Sequence, residues 1–289
     1  MEKQRYPLYF ILPALLIFSL FFILPTIQGF YYSFTDWNTY AKDIHFVGFR
    51  NFADLFNEGI LPLALKNTII YAVITTVLLN VFGFAMALAL NEKIKLGGFF
   101  RTVFYMPVVI ASLIVGYIFT AIYNPNTGIL NQLLNTVGLG FLAQSWLSDI
   151  KIALFSIIAT EIWKSTGFSM IIYLAGIKTI NNDLLEQANI DGASYLQKCK
   201  NVIFPMIAST FTVNLMVTMI NSLKVFETVL VLTQGGPGYY TEVINTFIYR
   251  NFAKGNWGYA SAAGLVQTII IAIISFAVLS FLRKREVEL

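Results

Sequence analysis

The sequence predicts an all-α membrane protein whose six helices cross the bilayer. Composition says so first: 57% of the 289 residues are apolar and only 12% are charged, where a soluble domain carries about 25%. The mean hydropathy of +0.70 agrees. The third observation is spacing. The apolar residues gather in six blocks, 8–32, 68–90, 99–123, 152–177, 202–222 and 261–282, each close to the ~20 residues a helix needs to span the hydrocarbon core.

The first block follows Lys3 and Arg5, as the core of a signal peptide would. It is too long for one, and Tyr31, Tyr32, Ser33 and Phe34 follow it in place of a small-x-small cleavage site. An uncleaved first helix is expected. It holds Pro13 and Pro25; the third block holds Pro107 and the fifth Pro205. Neighbouring groups can satisfy the carbonyl that a proline frees in a membrane helix, so these residues mark kinks or helix ends within the spans.

Orientation follows from the basic residues. With the N-terminus inside, the cytoplasmic segments hold Lys3, Arg5, Lys93, Lys95, Arg101, Lys178, Lys198, Lys200, Arg283, Lys284 and Arg285. The opposite segments hold seven in longer loops: Lys42, Arg50, Lys66, Lys151, Lys224, Arg250 and Lys254. The excess places both termini in the cytoplasm. The outer segments carry Trp37, Trp146 and Trp257, suited to the membrane interface, with the turn-forming runs Asn124-Pro125-Asn126 and Gly235-Gly236-Pro237-Gly238.

Other chemistries find no support. The net charge of +4 is scattered at the ends of apolar runs and forms no basic patch, so nucleic acid is not a partner. His45 is the one histidine and Cys199 the one cysteine. That excludes histidine triads, multi-histidine metal sites and any disulfide within the chain. Cys199 reads as a packing residue, and no catalytic or metal site is expected.

The segment 178–201, between the fourth and fifth blocks, is polar but ordered. Asp183 and Glu186 have the spacing of a capping box. Leu184, Leu185 and Ala188 give the short helix an apolar side, and Gly192 can take the left-handed conformation that ends it. A second helix from Ser194 to about Val202 leads to Pro205. By composition alone, the segment could equally be an amphipathic connector lying on lipid.

Its residues are more specific. Glu186-Gln187-Ala188, Asp191-Gly192-Ala193 and Ile203-Phe204-Pro205 resemble the Glu-Ala-Ala loop of binding-protein-dependent ABC importer permeases, with Gln187 for the first Ala and Phe204 for the usual Leu. The resemblance runs along most of the chain. Leu12-Pro13-Ala14 and Ser33-Phe34-Thr35-Asp36-Trp37 look like the first span and its exit in carbohydrate permeases; Phe46 to Phe52, Asn67-Thr68, Phe100-Arg101 and Met106-Pro107 match later landmarks. Most discriminating are Lys224-Val225-Phe226-Glu227, Leu232-Thr233-Gln234-Gly235-Gly236-Pro237, Thr241 and Gly258-Tyr259-Ala260-Ser261-Ala262. These resemble segments of permeases of the maltose and glycerol-phosphate type, with Glu227 where Asp is usual.

The resemblance implies a type I importer bundle in the cytoplasmic membrane of a prokaryote, paired with a second, homologous permease around one cavity. Two ABC ATPase subunits would bind ATP and Mg and dock on coupling helices formed by Glu186, Gln187, Ala188, Asp191, Gly192 and Ala193. An extracytoplasmic solute-binding protein would deliver a sugar or sugar derivative, touching Gly235, Gly236 and Pro237. This chain has no Gly-x-x-x-x-Gly-Lys-Ser/Thr loop of its own, so it is not expected to be an enzyme or to carry a cofactor.

Polar residues inside the blocks suggest the solute path. Glu161, Lys164, Ser165 and Phe168 share one helical face, as do Asn214, Thr218, Asn221 and Ser222. A charge at mid-helix costs about 2.5–3.5 kcal/mol on insertion scales, which makes a functional role the default. Two other readings stay open. Glu161 and Lys164 could form a structural ion pair, and the amide and hydroxyl groups could be interhelical glue. Glu161 and Lys164 could also serve as an ion relay in an ATP-independent carrier or channel, although such carriers usually show repeated halves and none is evident.

Overall fold

In the computed structural model, residues 8–40, 42–92 and 95–283 are described. Lys3, Arg5, Lys93, Lys284 and Arg285, which contribute to the charge asymmetry, lie outside them. Thirteen helices among the described residues build the fold. In chain order they are α1 (Tyr9–Tyr32), α2 (Arg50–Asn57), α3 (Ile60–Asn91), α4 (Gly97–Val109) and α5 (Ser112–Ile122). Then come α6 (Ile129–Thr136), α7 (Ala153–Lys178), α8 (Asn182–Ile190) and α9 (Tyr195–Met206). The chain ends with α10 (Ala208–Leu223), α11 (Glu227–Leu232), α12 (Ile244–Ala253) and α13 (Trp257–Arg283). No strand forms among the described residues beyond an isolated bridge between Thr35 and Phe46.

The expectation of six spans is met in coarser form. Three helices, α1, α3 and α13, are long and apolar enough to cross a bilayer. Two bent pairs pass the same test jointly: α4 with α5, bent by 95°, and α9 with α10, bent by 75°. The block 99–123 is therefore not one straight helix. It breaks where Ile110 and Ala111 turn extended, with ψ of 130° and 136°, just after Pro107. The remaining block, 152–177, is α7. Its 26 residues give a length of about 39 Å at 1.5 Å per residue, but Glu161, Lys164 and several hydroxyl residues interrupt its apolar run.

The prolines act as their chemistry demands. Pro25 and Pro205 are each preceded by a π-helical stretch, Ser19–Ile23 and Cys199–Ile203. A proline ring collides with the carbonyl four residues back, and the wider π turn makes room for it. The helix runs on through Pro25. After Pro205 it breaks at Ile207.

The chain divides into two compact units. One comprises the residues up to Leu61 with Phe247–Ile269. There Asn51 on α2 donates to the carbonyls of Ser33 at 2.9 Å and Thr35 at 2.8 Å. Trp37 packs against Tyr32 and Trp257, with ring centroids 4.1 and 4.7 Å apart. The N–H of Gly258 donates to the Trp37 carbonyl at 2.8 Å.

The other unit comprises Pro62–Thr246 with the residues from Ile270 onward. Here α4 and α10 pack along α7, and α11 lies against α5 and α7. In lipid, helices associate through close packing, so small residues mark their contacts. Gly167 shows why: a Cβ there would lie 2.9 Å from Tyr105 Cα on α4. One apolar core centres on Tyr71, Ile157 and Val229, another on Tyr173, Ile177, Cys199 and Ile203. Leu185 of α8 packs on the second core, which anchors the polar segment to the bundle.

Candidate functional site: a polar cavity between α7 and α10

A cavity of about 420 Å³ opens within the second unit. Periodicity decides which side chains reach it. On α7, Glu161, Lys164, Ser165 and Phe168 all line it; on α10, Thr218, Asn221 and Ser222 do. Seven of the eight residues expected to form a solute path therefore meet around one space. Asn214 is the exception: it is fully buried, and its Nδ2 donates to Oδ1 of Asn80 on α3 at 2.9 Å. That bond is interhelical.

Glu161 is held from two sides. Its Oε1 accepts from Ser165 Oγ at 2.6 Å, and its Oε2 from Thr228 Oγ1 at 2.9 Å. It forms no ion pair with Lys164, so the structural pair considered from the sequence is not present. The carboxylate turns to the hydroxyl four residues on and to α11, and the half-buried Lys164 faces the cavity. Hydrogen bonds to a charged group contribute about 1.5–3 kcal/mol, enough to fix the Glu161 side chain as a rigid wall of the cavity.

Sequence reasoning missed part of the lining. Tyr71 and Leu79 come from α3, Val108 and Ser112 from the bend between α4 and α5, and Lys224, Glu227 and Thr228 from the chain around the start of α11. The Lys224–Glu227 motif was visible in the sequence; its approach to the cavity was not, because it depends on the packing of α11 against α7. Two lysines and two glutamates now border the space.

The segment after α7 folds as two short helices joined at Gly192. Its φ of +74° is left-handed, as expected, and lets Ala193 N–H reach the Ala188 carbonyl at 3.0 Å. Glu186, Gln187, Asp191 and Gly192 are exposed, while Ala188 and Ala193 are half-buried. The caps differ from expectation. Asn181, not Asp183, caps α8, accepting from Asp183 N–H at 3.0 Å. The capping box is formed instead by Ser194 and Gln197 at the start of α9. Lys198 Nζ donates to Asn189 Oδ1 at 2.8 Å, linking the two helices.

In the Gly-Gly-Pro turn, Gly235 is buried and Gly236 and Pro237 are half-buried; the exposed residues are Gln234 and Gly238 to Tyr240. Thr241 Oγ1 donates to the Gly236 carbonyl at 2.6 Å. Asn67 on α3 donates to the carbonyls of Tyr240 and Glu242, both at 2.9 Å. The turn is thus stapled to itself and to α3. Among the described residues no group of His, Cys, Asp and Glu is arranged to hold a metal.

Residues 79–286 match the model of the family described as the binding-protein-dependent transport system inner membrane component. The chain is 36% identical to the probable ABC transporter permease protein YurN of Bacillus subtilis, over 99% of each chain. It is also 36% identical to the probable starch degradation products transport system permease protein AmyD of Thermoanaerobacterium thermosulfurigenes, over 97% of this chain and 94% of that one. Among solved structures, it resembles a chain of a bacterial alginate ABC transporter in complex with an alginate pentasaccharide-bound periplasmic protein. The TM-score is 0.82 at 28% identity, covering 93% of this chain and 91% of that one.

Proposed function

The chain belongs to the family of binding-protein-dependent transport system inner membrane components, and on that premise we propose that it is the permease subunit of an ABC importer moving a sugar or sugar derivative across the cytoplasmic membrane by alternating access. The observation that carries the reading is the cavity, whose wall is built from α7 and α10, the helices that flank the exposed α8–Gly192 segment. Hydroxyls, an amide, an aromatic ring and charges suit a polyhydroxylated solute. The names of relatives such as the starch-product permease point to the same substrate class.

In this reading α1, α3, α13, α7 and the two bent pairs are the six spans, with both termini cytoplasmic. A second, homologous permease completes the cavity. Two ATPase subunits carry ATP and Mg and dock on Glu186, Gln187, Ala188, Asp191, Gly192 and Ala193. A solute-binding protein delivers substrate at the external face near Gly235, Gly236 and Pro237. An ion relay through Glu161 and Lys164 is not favoured, because Glu161 is engaged by Ser165 and Thr228.

A cysteine at Glu186, in a Cys199→Ser background, tests the docking assignment. The expected result is a cross-link to the co-produced ATPase that changes when ATP is trapped. A thiol at this position labelled from outside the cell by an impermeant reagent would overturn it.

A further inference from the structure

Asn80 lies on α3, in none of the motifs read from the sequence, yet its amide is saturated. Oδ1 accepts from the Tyr173 hydroxyl on α7 and from Asn214 Nδ2 on α10. Nδ2 donates to the Thr76 carbonyl at 2.8 Å and to Thr218 Oγ1 at 3.0 Å. Two lone pairs and two protons are all that an Asn side chain possesses. One residue of α3 therefore clasps both helices that carry the cavity wall.

The two ends of this clasp lie in different places. Thr218 lines the cavity. Tyr173 is fully buried in the core that includes Ile177, Cys199 and Ile203, on which Leu185 of α8 packs. A contiguous chain of contacts thus runs from the solute space through Asn80 to the base of the α8 segment. A saturated amide has no spare partner, so any shift of α10 along α3 orphans buried polar groups and breaks the clasp as a unit.

We propose that Asn80 is a positioning residue that couples the cavity wall at Thr218 to the core beneath the coupling segment, acting through Tyr173. The proposal rests on the reading of α8 as the ATPase-docking element. The contact chain itself can be tested without it, because the one cysteine, Cys199, sits buried in the core at its far end.

The experiment measures the maleimide labelling rate of Cys199 in membranes holding the full transporter, with no nucleotide added. Thr218→Val is expected to raise the rate about fivefold, the change produced by losing about one net hydrogen bond, and Asn80→Leu, which removes all four, at least as much. Combining them should add nothing further, as for members of one network. Thr160→Val, which removes a buried hydroxyl bonded elsewhere on α7, should leave the rate unchanged. If Asn80→Leu fails to reach the membrane, Thr218→Val with Tyr173→Phe gives the same comparison. An unchanged rate in Thr218→Val, or additive effects in the double variant, would overturn the clasp. Failure of the docking cross-link with these rates as expected would remove the docking assignment and leave the clasp standing.

Discussion

Thr228 donates a hydrogen bond of 2.9 Å to Oε2 of Glu161, tying the short α11 to the middle of α7 across 67 residues of sequence. Thr228 is buried and the carboxylate half-buried, so this contact sets both the position of α11 and the shape of the cavity. Thr228→Val keeps the volume and removes the donor. It is expected to destabilise the protein by about 1.5–3 kcal/mol, as for hydrogen bonds to charged groups. A thermal melt of the solubilised complex reads the loss, and uptake should fall with it. An unchanged melt would show that Glu161 is held by Ser165 alone.

Gly192 offers a graded test of the turn between α8 and α9. Its φ of +74° costs an ordinary L-residue about 1–2 kcal/mol, while Asn tolerates it better. Nothing lies within 4 Å of a Cβ built there, so backbone strain alone should rank the variants. Uptake per ATP hydrolysed is expected to fall in the order Gly192→Asn, Gly192→Ala, Gly192→Val, with membrane insertion intact. Equal ratios across the series would remove the turn from the coupling path.

Gly167 tests packing rather than conformation. A Cβ there would press on the Phe104–Tyr105 backbone of α4, and overpacking of this kind costs about 1–3 kcal/mol. Gly167→Ala should lower the yield of folded protein, and Gly167→Val should lower it further. Wild-type yields from both would contradict the close approach of α4 to α7.

The loop between α1 and α2 carries a pH dependence. The His45 backbone N–H, 2.7 Å from Asp36 Oδ1, is the main cause holding the Asp36 carboxyl below its ordinary value of 3.8, with the His45 ring a further contribution. A carboxylate depressed in the folded state stabilises above its unfolded pKa, and that stability is lost as pH falls through the folded value. Hydrogen exchange at the His45 amide, corrected for intrinsic rate, should stay protected above the usual carboxylate range and lose that protection as pH falls below it. Asp36→Asn should remove this acid transition.

Much of this was legible in the sequence because membrane helices expose their period. The blocks of apolar residues located the helices, and the 161, 164, 165, 168 and 218, 221, 222 spacings placed the cavity faces. Prolines marked where helices strain, but not how far they bend. The 95° break after Pro107 depends on the extended Ile110 and Ala111, which no local pattern distinguishes from helix. Capping was misassigned because Asn181 and Asp183 are both good acceptors, and only geometry shows which side chain takes the N–H. Asn80 gave no signal at all. Its partners lie 93 and 134 residues away, and one amide in an apolar block looks like any other.

The central claim is that solute crosses this chain only when a separate ATPase does work on it. Uptake of labelled sugars into cells producing the whole transporter, compared with cells whose ATPase carries an inactivated nucleotide site, tests this most directly. The expected result is uptake that falls to the level of cells lacking this chain. Uptake that persists at the original rate with the ATPase disabled would contradict it.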